Sequence, residues 1–246
     1  MTRAGRYGCT AVALLSLLGF SPGPAKAAGV DPALAGKWYT KAQNDSAGTG
    51  RHRILLWNIG RGGSSTMSVI IIESGFLTSN PERWGVTRRD SSSELAHGTY
   101  SLKGPTSLAT VDAGMPYEPV AWTKVSVSGS AQAVDNCAVE VAKSLESRTG
   151  ATRSSFNPAL VGLWQGTTTK PPGERVSLLW DISATGHSLR LTVLDSFSVP
   201  VDAGRGHISV TLPNEPISKG TYRMAGPNSF ETTDSGAAVA WKRCGS

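Results

Sequence analysis

Apolar and polar residues alternate along most of this chain, and one alternating phrase occurs twice: Leu55-Leu56-Trp57-Asn58-Ile59 and Leu178-Leu179-Trp180-Asp181-Ile182. Leu55, Trp57 and Ile59 share one face, as do Leu178, Trp180 and Ile182, which is the period-two pattern of a half-buried strand. The opposite face carries Asn58 in one copy and Ser177 and Asp181 in the other, so the tryptophan side is expected in a core. A turn signal follows each phrase, Gly60-Arg61-Gly62-Gly63 or Ala184-Thr185-Gly186. Then Met67, Val69, Ile71 and Glu73 alternate with Ser68, Ile70, Ile72 and Ser74, while Leu189, Leu191, Val193 and Asp195 alternate with Arg190, Thr192, Leu194 and Ser196. The first member of each pair of sets is expected to face a core. Short strands are also predicted at 38–41, 84–88, 100–102, 108–111 and 120–125. The pattern is therefore that of an all-β protein, with antiparallel meanders of about seven short strands that end as a sandwich or close into a barrel.

The matches extend well beyond the two phrases. Asp31-Pro32-Ala33-Leu34-Ala35-Gly36-Lys37-Trp38 corresponds to Asn157-Pro158-Ala159-Leu160-Val161-Gly162-Leu163-Trp164, and Gly98-Thr99-Tyr100 to Gly220-Thr221-Tyr222. Val120-Ala121-Trp122 corresponds to Val239-Ala240-Trp241, and the separation drifts only from 126 to 119 residues along the chain. Six of seven tryptophans fall in matched pairs, with Trp84 alone, which reads as an internal duplication. The expected organisation is a β module at 28–125, a bridge at 126–156 and a second β module at 157–246. Two small barrels, one per copy, is the favoured arrangement; a single composite barrel or sandwich built from both copies is the alternative. Within the bridge, Val134, Cys137, Ala138, Val141 and Leu145 recur at helical spacing with Asp135 as an N-cap. A strand through Val139 and Val141 is the competing assignment.

Charge and composition change this picture at the ends of the chain. Arg3 and Arg6, an apolar run from Cys9 to Phe20, and Ala25-Lys26-Ala27 follow the layout of a secretory signal over residues 1–27, with cleavage expected after Ala27. No later segment reaches the roughly 20 apolar residues of a membrane helix, so a secreted or periplasmic, non-spanning protein is expected. Removing the leader takes Arg3, Arg6 and Lys26 and lowers the formal charge from +6 to +3. Its scattered basic residues form no stripe, which argues against nucleic acid as a partner. Cys137 and Cys244 remain as an even pair in an oxidising compartment and are expected to form a disulfide.

Each copy resembles the small lipocalin-like, calycin-type barrel modules of bacterial secreted proteins. The resemblance is carried by Gly36-x-Trp38 and Gly162-x-Trp164, by the Gly-Thr-Tyr strand, and by Trp122-Thr123-Lys124 and Trp241-Lys242-Arg243 in the last strand. It implies that the first-strand tryptophan packs across one end of the barrel beneath a basic side chain from the last strand. Within each copy this would set Lys124 over Trp38, and Lys242 or Arg243 over Trp164.

Signatures of catalysis are missing from the sequence. It contains no phosphate-cradling glycine loop leading into a helix, no histidine pair at metal spacing, no cysteine cluster and no Gly-x-Ser-x-Gly elbow, so neither cofactor nor metal is expected. His52, His97, His187 and His207 are unmatched between copies and read as surface residues. The paired tryptophans read as core, and Asp112 and Asp234 as turn residues. The candidate site residues are Glu73 and Asp195, acids on an expected core face, with Arg83 and Arg205 one hairpin later. Together they would form a polar clamp at a barrel mouth; the alternative is an acid at a strand end that turns to water, or a structural ion pair, and an alternation that turns both arginines away from the core counts against the clamp.

The resulting expectation is a binding protein for a small hydrophobic or amphipathic ligand, or for a protein or glycan partner of the cell envelope. An interaction module without a pocket is the second reading. A barrel-type isomerase or cyclase using Glu73 or Asp195 is the third, on fold analogy.

Overall fold

The computed structural model describes residues 30–41, 51–80, 82–87, 94–113, 118–125, 134–145, 155–198, 201–204, 206–210, 218–234 and 237–245. The expected leader lies outside them. The first half of the chain forms β1 (Gly36–Lys41), β2 (Arg51–Ile59), β3 (Ser65–Ser79), β4 (Arg83–Thr87), β5 (Glu94–Gly104), β6 (Ser107–Asp112) and β7 (Val120–Val125). Helix α1 (Asn136–Leu145) follows, then a single 3-10 turn at Pro158–Leu160. The second half forms β8 (Gly162–Lys170), β9 (Glu174–Ile182), β10 (His187–Ser198), β11 (Val201–Gly204), β12 (His207–Val210), β13 (Ser218–Gly226), β14 (Ser229–Asp234) and β15 (Ala237–Arg243).

Eight strands, β3 through β10 in chain order, close into an antiparallel barrel through the pairing of β10 with β3. Seven further strands continue from β3 in the order β2-β1-β15-β14-β13-β12-β11. They surround a second core of Trp38, Trp57, Ile59, Ile208, Tyr222, Phe230 and Trp241. Backbone hydrogen bonds from Val201 N to Gly63 O (2.9 Å) and from Asp31 N to Ala203 O (3.0 Å) tie the far strand, β11, back towards the start of the set.

Strand β3 makes this arrangement necessary. Its 15 residues span about 50 Å at roughly 3.3 Å per residue, longer than one small barrel can use. One edge pairs first with β2 (Ser65 to Glu73) and then with β4 (Phe76 to Ser79); the other runs along β10 from Thr66 to Phe76. The closed barrel consequently takes β3 to β7 from the first half of the chain and β8 to β10 from the second. Likewise β1 pairs with β15, not with β7. The composite arrangement is the one observed for the closed barrel.

Where the strands serve both barrel and helix, alternation does not separate core from solvent. Trp57 and Ile59 face the second core and Leu178, Trp180 and Ile182 face the barrel interior, as the period-two pattern requires. The opposite face of the same strands is also buried: Ile54, Leu56, Ile70, Ile72, Leu179, Leu189 and Leu191 lie beneath Val134, Cys137, Ala138, Val141 and Ala142 of the bridge. For β10 this reverses the expectation. Leu189 and Leu191 are covered by the helix, whereas Arg190 is buried against the tryptophans of the barrel.

The bridge is helical, as its spacing predicts. Asp135 accepts a hydrogen bond from Cys137 N (2.9 Å) as the cap and also pairs with Lys37 (2.7 Å). The Cys137–Cys244 disulfide joins the start of α1 to the chain end just after β15, across 107 positions, with a Cα–Cα distance of 5.5 Å. Tyr222 anchors β13 by donating to Asp31 Oδ2 (2.8 Å). Burial, reinforced by that carboxylate, raises the Tyr222 phenol above its ordinary value of 10.0.

Two outcomes are expected. Replacing both Cys137 and Cys244 by Ser, or reducing the bond, lowers unfolding free energy by about 2–4 kcal/mol in urea titrations, because the long loop is freed in the unfolded chain. The Tyr222 contribution is complete below pH 10.0, the unfolded-state value, and fades as pH rises through the higher folded-state value. Unfolding midpoints of Tyr222→Phe should therefore lose less stability than the parent above pH 10.0.

A polar cleft at the mouth of the closed barrel

One end of the closed barrel is sealed by Trp164. Its Nε1 donates to Leu160 O (2.7 Å), and Lys124 Nζ lies 5.0 Å from the ring centroid. The second core repeats this with Trp38, whose Nε1 donates to Leu34 O (2.7 Å) and whose ring carries the Arg243 guanidinium at 4.1 Å. The tryptophan-under-cation contact exists, but the partners are exchanged relative to the expectation within each copy. The cause is strand pairing: Trp38 stands opposite Arg243, and Trp164 opposite Lys124. Gly36 (φ 141°) and Gly162 (φ 137°) complete the motif, since a Cβ at either would collide with the Arg243 guanidinium or the Lys124 side chain.

The barrel interior is filled. Trp84 and Trp122 pack on Trp180 with centroids 5.0 and 5.5 Å away. Trp180 donates to Ser188 Oγ (2.7 Å) and Trp122 to Thr110 Oγ1 (2.8 Å). All six matched tryptophans are buried, as expected of core residues. Among the described residues the barrel centre is occupied by these side chains.

A cleft of 260 Å³ opens at the other end, where β6 finishes and β5 begins. Its deepest charged residues are Arg190 of β10 and Asp112 of β6, whose side chains are only 4% and 5% exposed. Arg190 Nη2 donates to Asp112 Oδ2. The guanidinium also lies against the rings of Trp84, Trp122 and Trp180, at 5.3, 5.8 and 6.0 Å. Arg190 Nε and Trp84 Nε1 are buried without a hydrogen-bond partner among the described residues. Glu73 also lines the cleft, opposite Arg190 in the β3–β10 register, and pairs with Arg51 of β2 (2.9 Å). On β5, Glu94 receives two bonds from Arg83 (2.9 and 3.1 Å) and lies 3.3 Å from His97.

The second core shows that the barrel does not need this charge. Trp180 stands opposite Arg190, whereas the corresponding Trp57 stands opposite Met67, an apolar residue packed on its core. A buried ion pair costs desolvation that its attraction recovers only in part. Met67 shows the apolar solution available at that position.

Of the sequence candidates, Glu73 enters the cleft, but its partner is Arg51. Arg83 is exposed on β4 and pairs with Glu94; it does not meet Glu73. Asp195 stands opposite Val69 after a register shift between Val193 and Asp195; its side chain is outside the described residues, as is Arg205. Asp112, expected in a turn, ends β6 with its carboxylate buried. Arg190 and Asp112 were not among the candidates. The one signal in the sequence is that Arg190 interrupts an otherwise apolar stretch, Leu189 to Leu194, broken elsewhere only by Thr192. Among the described residues no cluster of three or more histidine, cysteine or acidic side chains could hold a metal ion.

Removing one member of the buried pair should cost far more than removing both. Asp112→Ala is expected to lower stability by about 3–5 kcal/mol, and Arg190→Met combined with Asp112→Asn to stay within about 1 kcal/mol of the parent, as read from urea unfolding midpoints. Comparison with protein-family models, with curated proteins and with solved structures gives no match to this chain.

Proposed function

We propose that this chain is an exported binding protein of the cell envelope or extracellular space, and that its ligand site is the cleft at the mouth of the closed barrel. Its two halves are read as a tandem duplication of a lipocalin-like unit whose end strands are exchanged between copies. One observation carries the binding reading: Arg190 and Asp112 are buried beneath an open cleft at a position where the second core manages with Met67. The ligand class narrows relative to a lipocalin cup. Among the described residues the barrel interior is occupied by Trp84, Trp122, Trp164 and Trp180, and the charged lining of the cleft favours a small polar or amphipathic ligand. An interaction module without a ligand is the second reading, supported by that same filled interior.

Export is supported by the residue pattern of 1–27 and by the disulfide, which suits an oxidising compartment. Intact mass of protein recovered from a secreting host should correspond to a chain beginning at Ala28, and retention of residues 1–27 would overturn export. For binding, the Arg190 contact with three indole rings supplies a reporter. Small polar ligands should shift or quench tryptophan emission in the parent and leave the Arg190→Met, Asp112→Asn variant unchanged. Identical responses in both proteins would remove the cleft as the site.

A further inference from the structure

We infer that the ligand of this cleft is a small zwitterion of amino-acid size, with its carboxylate received by Arg190 and its ammonium by Glu94. The inference rests on reading the cleft as a binding site and adds the chemistry of what fills it. Three features of the lining lead there.

Charge balance comes first. The cleft is lined by Arg51 and Arg190 and by Glu73, Glu94 and Asp112, and each of these acids is paired with an arginine, Glu73 with Arg51, Asp112 with Arg190 and Glu94 with Arg83. A phosphate-bearing or dicarboxylate ligand would bring its second negative charge against these acids, and a polyamine would meet the arginines. A ligand with one charge of each sign can satisfy both without leaving a net charge buried.

Valence comes second. Arg190 presents five N–H donors in a fixed fork. Asp112 is held at Nη2, while Nε has no partner among the described residues, and an unpaired buried donor is costly. One carboxylate oxygen at Nε removes that cost without displacing Asp112. Glu94 is the complementary acceptor. It comes from β5, three strands round the barrel from β10, and its side chain is 36% exposed, which leaves room for a further donor beside Arg83 and His97.

Size and wall come third. At 260 Å³ the cleft falls just under the roughly 300–1,000 Å³ of sites for drug-sized ligands. Ile71, Leu95 and Ala96 give it one apolar wall, suited to a short aliphatic side chain. Among the described residues the lining holds no tryptophan, tyrosine or phenylalanine, the broad rings on which a sugar would stack.

The test is calorimetric titration of the full disulfide-bonded protein with a panel of free amino acids, the N-acetyl and methyl ester derivative of each, dicarboxylates and neutral monosaccharides. At least one free amino acid should bind, and its N-acetyl and ester forms should each bind at least about ten-fold more weakly, a loss of about 1.4 kcal/mol apiece. Glu94→Gln should weaken the free amino acid about ten-fold and narrow its advantage over the N-acetyl form, with urea midpoints showing the fold intact. Arg190→Met with Asp112→Asn should abolish binding. An N-acetyl or ester form that binds as well as its parent amino acid overturns the zwitterion and leaves the cleft reading standing. The same holds if only dicarboxylates or monosaccharides bind in an Arg190-dependent way. Absence of any Arg190-dependent binding across the panel overturns both.

Discussion

Everything in this molecule depends on the antiparallel pairing of β3 with β10. Each strand is too long for a single small barrel, and their shared stretch, Thr66 to Phe76 against His187 to Ser198, is a common wall. On one side of that wall β4 to β9 complete a closed barrel; on the other β2, β1 and β15 to β11 surround a second core. The face of that wall beneath α1 is apolar, with Ile70, Ile72, Leu189 and Leu191, whereas the face turned to the closed barrel carries Glu73, Arg190 and Thr192 beside Ile71. The disulfide fixes the helix there by joining it to the chain end beyond β15.

Sharing the wall dictates the exchange of strands. Once β3 passes from one core to the other, the strands before it and after it belong to different cores, and each core must be finished by the opposite half of the chain. The tryptophans at the sealed ends record this. Trp38 takes its cation from the far end of the sequence, and Trp164 from the last strand before the bridge. The glycine two positions before each tryptophan serves the same contact, because the cation occupies the space a side chain would need.

The cleft follows from an asymmetry between the cores. Both place a tryptophan towards the end of a strand, β2 or β9, and satisfy its Nε1 with a serine hydroxyl, Ser65 or Ser188. They part at the residue opposite, Met67 in one and Arg190 in the other. Arg190 draws Asp112 into the barrel and leaves a donor unfilled beneath an open mouth. Charge at that depth is expensive for folding alone, and the proposed binding role is what would account for its presence.

Local chemistry made much of the architecture readable from the residues. The alternation about Trp57 and Trp180 marks strands wherever they lie in space, the helical spacing of Val134, Cys137, Ala138 and Val141 marks the bridge, and Cys137 and Cys244, the two cysteines beyond the expected leader, admit one pairing. These depend only on backbone period and composition. The side chains of the cleft were less legible. Period two divides a strand into faces without saying which face meets solvent, a helix or a barrel interior, so Arg190 looked outward and Asp112 looked like a turn residue. Which half of the chain completes which core also escaped the pattern, since matched halves supply equally good partners for either choice. Only the tertiary pairing of β3 with β10 decided it, by making one long strand the wall of two cores and thereby setting Arg190 at the mouth of one of them.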